Sequence, residues 1–84
     1  MSPADHELRL VDPARNRRRT YGIAEARTLF GEPCLLIAWG RTGQALRRRT
    51  ETFPDDRALE RRRRALLARR RRNGYLDVGK APRQ

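Results

Sequence analysis

The 84 residues carry 21 basic and 10 acidic side chains, a formal net charge of +11, and a pI near 11.6. This bounds the chain to one small domain and points to a polyanion partner, most often nucleic acid. One cysteine excludes an intramolecular disulfide, and no apolar run approaches the roughly 20 residues of a membrane-spanning helix. The start, with Asp5, His6 and Glu7, has no apolar signal region, so a reducing cytoplasm is the expected compartment. All but one of the basic residues are arginine, the exception being Lys80. A GC-rich genome accounts for arginine over lysine but not for the positive excess.

In chain order, residues 1–6 read as a loose polar lead. Glu7 to Asp12 alternates as a first strand, and Asp12-Pro13-Ala14-Arg15-Asn16 is a turn. Arg17-Arg18-Arg19 leads into Thr20 to Ala26, a second strand with Tyr21, Ile23 and Glu25 on one face. Helix is the rival reading, given Ala24-Glu25-Ala26-Arg27. Gly22 within the strand suggests a close approach of another element. Thr28 to Pro33 is a loop whose Leu29 and Phe30 are expected to tuck into the core edge.

Cys34 to Ala38 is the longest apolar run; it continues into Trp39-Gly40-Arg41-Thr42-Gly43. Its length, and the proline and glycines that bound it, predict a buried central strand. Alternation places Leu35, Ile37, Trp39 and Arg41 on one face, and Cys34, Leu36 and Ala38 on the other. Both faces begin apolar, so cover on both sides is expected at the strand's start, with Cys34 a small core residue. Trp39 and Arg41 then lie roughly 6.6–6.8 Å apart along one ridge, a ring and a guanidinium suited to a planar or anionic group.

Gln44 to Phe53 reads as a fourth strand with Arg47 and Arg49 on one face and Arg48 on the other. This is either a basic contact surface or an edge strand charged against aggregation. Asp55 or Asp56 caps a helix that runs to about Asn73 and stops at Gly74. Ala58, Leu59, Ala65 and Leu66 form its apolar stripe, interrupted by Arg62. Like charges repel along this helix, and Glu60 with Arg64 is the clearest offsetting pair. Arg61 to Arg64 read as a solvated face, whereas Arg69, Arg70, Arg71 and Arg72 read as a partner contact. Tyr75-Leu76 suggests a last short strand or clasp, and residues 77–84 a loose basic tail.

No catalytic constellation is visible. His6 is expected in the loose lead with nothing to orient it against Cys34. No metal-ligand cluster and no phosphate-binding glycine loop is present. The chain therefore reads as non-enzymatic, with no cofactor, no membrane and no small-molecule substrate.

The order of features resembles a WGR domain. The residues that carry the resemblance are Asp12-Pro13, Asn16, Arg19, Tyr21, Leu29-Phe30-Gly31, Trp39-Gly40-Arg41, Gly43, Phe53, Ala58 and Gly74-Tyr75. They span residues 8–76, and the look is closest to small stand-alone bacterial members, similar to the domain in molybdate-metabolism-regulator-like proteins. Thr42 departs from the usual aliphatic residue, and Ala45-Leu46-Arg47 lacks the glycine often found after the turn. The resemblance implies an α+β fold: an antiparallel β-sheet of about four strands with one C-terminal α-helix packed on one face, over residues 7–76, between flexible tails 1–6 and 77–84. In poly(ADP-ribose) polymerases the domain binds DNA. There the motif tryptophan stacks on a sugar at the DNA end, and the motif arginine lies at the DNA and interdomain contact. Only Trp39 and Arg41 carry over. With the charge pattern, the expected nucleic-acid contacts are Trp39, Arg41, Arg47, Arg49, Arg69, Arg70 and Arg72. Alternatives are an RNA-binding or ribosome-associated protein, and a docking module for an acidic protein anchored by Trp39.

Overall fold

The computed structural model describes residues 6–78. Alternating apolar residues generate β1 (His6–Asp12), β2 (Arg17–Arg27) and β3 (Pro33–Arg41). β4 (Arg47–Thr52), α1 (Asp56–Arg72) and the two-residue β5 (Leu76–Asp77) follow. The strands form one antiparallel sheet in the order β4-β3-β2-β1-β5. The architecture is α+β with one long helix among the described residues, as expected, but with five strands rather than about four. The fifth is the segment after Tyr75, where Leu76 pairs with Arg9 and Asp77 with Leu8. The helical alternative for Thr20–Ala26 fails because β3 pairs the whole segment and β1 pairs its first half, to Ile23. β2 also begins three residues early: Arg17 to Arg19 are ladder residues opposite Asp12, Val11 and Leu10. Likewise His6 belongs to β1, opposite Ile23, and not to a loose lead. Residues 1–5 and 79–84 of the two expected tails lie outside the described residues.

Side chains directly opposite across a ladder share a face. One face carries Leu8, Tyr21, Ile23, Leu35 and Ile37, all at most 2% exposed, and α1 covers them with Leu59, Leu66 and Leu67. The helical stripe thus differs from the expected one. Ala65 points to solvent and Leu67 takes its place. Two arginines on the stripe are half-buried, Arg63 and Arg70; the Arg63 guanidinium donates to Glu25 at 2.9 Å and pairs with Glu60. Arg62 reaches outward, to Glu51.

Both helix ends are closed by their own chemistry. The Asp55 carboxylate accepts the Ala58 N–H at 2.8 Å, satisfying one free donor of the first turn. At the other end the N–H of Gly74 donates to Arg71 C=O and that of Tyr75 to Arg70 C=O, each at 3.1 Å. This pair of bonds needs a left-handed residue, and Gly74 supplies it at φ 100°. The turn also swings Tyr75 into the core, edge-on to Tyr21 at 6.4 Å.

No helix of the described residues covers the opposite sheet face. Cys34 is buried there, at 3% exposure, but Leu36, two residues on, is 44% exposed. Cover on both sides of β3 therefore holds at its start and ends by Leu36. No helix among the described residues is long and apolar enough to cross a membrane.

Candidate nucleic-acid interface

The ladder register places the Trp-Gly-Arg segment. On the helix-covered face, one row across the sheet runs Arg47, Trp39, Tyr21, Leu8, and the next runs Arg41, Arg19, Leu10. α1 runs along the sheet from Arg27, which Asp56 meets at 3.1 Å, toward Tyr21, over which the Arg70 guanidinium lies at 4.3 Å. Its C-terminal turn thus ends over the Trp39 row, with Gly74 reaching Leu10 on the next row, while Arg19 and Arg41 of that row stay exposed. Trp39 is half-buried: it packs against the core edge while Arg49 sits 5.5 Å over its ring. It is both a core-edge residue and an accessible ring.

The turn after Arg41 is tied down by the residue that departs from the family pattern. Thr42 N–H donates to Arg18 C=O at 2.9 Å, and its hydroxyl lies 2.7 Å from the Thr20 hydroxyl. Gly40 has φ 154°, and a Cβ on it would meet the Leu46 side chain at 3.2 Å. The glycine of the triplet lets Leu46 close over the turn. Arg41 extends from there and donates to Asn16 C=O at 3.3 Å. Gly22, by contrast, has only an ordinary contact at 3.7 Å where a Cβ would stand, so no close approach demands it.

Ion pairs divide the arginines into two groups. Arg62 grips Glu51 through two hydrogen bonds of 2.8 and 3.1 Å, and Arg49 joins the same carboxylate at 3.0 Å. Arg64 meets Glu60 at 3.4 Å, as expected, while Arg63 shares that carboxylate. Arg71 grips Asp77 at 3.0 and 2.8 Å. Arg70 stands over Tyr21 and, at 5.8 Å, Tyr75. The remaining candidates, Arg41, Arg47, Arg69 and Arg72, are exposed and have no carboxylate of the described residues within 4.0 Å. The structure adds Arg19, exposed and directly opposite Arg41. Only the register exposes this like-charge pair; in sequence Arg19 is the end of an arginine run.

The Arg62 hydrogen bonds, reinforced by the charges of Arg62 and Arg49, hold the Glu51 carboxyl below its ordinary value despite some desolvation. A depressed carboxyl pKa adds stability above the ordinary glutamate value of 4.5, lost as pH falls through the lower folded value. Glu51→Gln is therefore expected to lower the urea midpoint at neutral pH, with the gap to the parent closing under acid. Asp77, lowered mainly by the Arg71 hydrogen bond, acts in the same direction, but its pair is half exposed and so weaker. His6 and Cys34 lie on opposite faces of the sheet, the first opposite Ile23 and the second opposite Ala26, so they do not meet as a dyad.

The WGR domain model matches residues 4–82 of this sequence. The chain belongs to the WGR domain family. A relative in Sinorhizobium fredii (strain NBRC 101917 / NGR234), described as uncharacterized protein y4dW, is 32% identical over 74 residues. That match takes in 88% of this chain and 36% of the relative, so the WGR chain spans about a third of the curated protein it matches. No solved structure gives a significant match. Within this WGR domain, the triplet that names the family lies on one sheet row and the next, at the basic end of the molecule.

Proposed function

We propose that this WGR domain is a non-catalytic DNA-binding module that grips phosphates beyond the C-terminal end of α1 and sets Trp39 against the backbone or an end of the duplex. The family is one of nucleic-acid-binding type, which supports the coarser part of this reading. The observation that carries it is the Arg19/Arg41 pair. Two like charges directly opposite on neighbouring strands destabilise a sheet, and no described carboxylate offsets them; a phosphate between them would. Arg47, Arg69 and Arg72 surround the same end of the molecule. The family's DNA contact, carried over to Trp39 and Arg41, falls within this basic end.

DNA is favoured over RNA because the helix-free sheet face presents no aromatic side chain among the described residues. Sheet-based RNA readers stack bases on aromatics of such a face; here Trp39 and Tyr21 lie on the other one. A reducing, cytoplasmic setting fits the single buried thiol of Cys34. The test is duplex affinity across a salt series. Each phosphate contact should lower log affinity by roughly 0.9 per decade of salt, and several contacts are expected. A flat series, or tighter binding to an acidic peptide than to duplex, would refute the reading.

A further inference from the structure

Two apolar features remain that nucleic-acid binding does not use. The first is the β2–β3 loop. Thr28 ties it shut: its N–H donates to Glu32 C=O at 2.9 Å, its C=O accepts from Gly31 N–H at 2.9 Å, and its hydroxyl accepts from the N–H groups of Phe30 and Glu32, each at 3.2 Å. This bracing leaves Leu29 100% and Phe30 89% exposed. The expected tuck into the core edge does not occur, because the hydrogen bonds turn both side chains outward. The second feature is an open groove of about 470 Å³ on the helix-free face. Gly22 paired with Ala38, and Ala24 paired with Leu36, form its floor, three small residues beside one leucine. Leu46, Thr50 and Arg48 also line it. Its size lies within the roughly 300–1,000 Å³ of sites that enclose small apolar groups.

The two features suit each other in charge as well. Glu32 lies in the loop itself, and Asp55 and Asp56 follow Phe53, whose N–H donates to Pro33 C=O at 2.9 Å; Arg27, bonded to Gly31 C=O at 3.2 Å, is already paired with Asp56 at 3.1 Å, which leaves Glu32 and Asp55 as the acids at this end. Of the charged groups that line the groove, Glu7 is held by Arg9 at 2.9 Å and Arg49 by Glu51 at 3.0 Å, whereas Arg48 is exposed with no carboxylate of the described residues within 4.0 Å. A chain cannot fill its own groove this way, since both side chains are exposed in the folded monomer. We propose that this domain self-associates head to tail, the Leu29–Phe30 tip of one copy seating in the helix-free groove of the next. Such a contact joins two different surfaces, so it extends into an open chain unless rotation closes it. The inference stands apart from DNA binding and is tested without nucleic acid.

The experiment is sedimentation equilibrium of the full chain in about 1 M salt, where a Debye length of roughly 3 Å suppresses repulsion between basic copies. The parent should show mass rising with concentration beyond a dimer. The tip variant, Leu29→Ser with Phe30→Ser, and the groove variant, Leu36→Glu, should each be monomeric. Both sites are solvent-facing, and circular dichroism verifies the fold; Ala38→Gln, which fills the groove floor, replaces Leu36→Glu if the latter unfolds. Mixed in equal amounts, the tip variant and the groove variant should form a dimer and no more, because each retains the half the other lacks. A monomeric parent, an associating tip variant, or a mixture that stays monomeric would overturn the proposal.

Discussion

Replacing Arg19, Arg41 and Arg47 together with glutamine is expected to produce the largest loss of DNA affinity available on this surface. These side chains lie on adjacent rows of one sheet face and make no ion pair with a described carboxylate. Their removal therefore takes charge from the partner and little from the fold. Relief of the Arg19/Arg41 repulsion should even raise the melting temperature slightly. If each contacts one phosphate, the salt slope should flatten by roughly 2.7, measured by fluorescence anisotropy on one duplex across a salt series. The same number of substitutions at Arg62, Arg63 and Arg64 should behave in the opposite way. Those guanidinium groups already hold Glu51, Glu25 and Glu60, so their loss should cost stability and leave the salt slope nearly unchanged. Equal slopes in the two triple variants would place the contact elsewhere.

Trp39→Ala is the second large effect, and it has two components. The ring packs against the core edge, so melting should fall, though by less than the roughly 3–5 kcal/mol of a fully buried aromatic. The exposed part of the ring offers a stacking plane. Stacking of this kind is worth roughly 1–3 kcal/mol per base, or about 5- to 150-fold in affinity, and depends little on salt. The loss should be felt on duplex with ends or gaps and hardly on closed circular duplex. Binding is compared at a temperature where circular dichroism shows both proteins folded. Trp39→Phe, which keeps a plane and most of the packing, should recover both stability and end preference in part. Unchanged and equal affinity of Trp39→Ala for open and closed DNA would remove the ring from the interface.

Much of the fold can be read before any coordinates. The alternation in β1 and β3, the Asp55 cap and the Gly74 stop are local signals, and local signals set element type and bounds. What could not be read depends on who stands opposite whom. Arg17 to Arg19 look like a polar lead-in until Asp12 and Leu10 are placed across from them. Arg63 looks like solvated helix, and Arg70 like a partner contact, until Glu25 and Tyr21 rise beneath them. Leu29 and Phe30 look like core because they are apolar, but a braced loop can hold apolar side chains in water when backbone hydrogen bonds set its shape. The Trp39 and Arg41 ridge was legible from the period of two; its like-charged partner Arg19 required the register.

The distribution of ion pairs has a consequence for kinetics. The acids beneath and before α1, Glu25, Glu51, Asp56 and Glu60, quench Arg63, Arg62, Arg49, Arg27 and Arg64 toward one end, where Arg57 and Arg61 alone keep no described carboxylate, whereas Arg19, Arg41, Arg47, Arg69 and Arg72 stand uncompensated toward the other. The ends of β2, Arg27 and Arg17, stand roughly 33 Å apart at strand rise. The domain therefore has an electric dipole moment along its sheet in addition to its monopole. In the field of a polyanion such a body would experience a torque as it diffuses, and would arrive with the Trp39 end leading. Orientation before contact raises the fraction of productive collisions, so this asymmetry acts on the association rate more than on the lifetime of the complex.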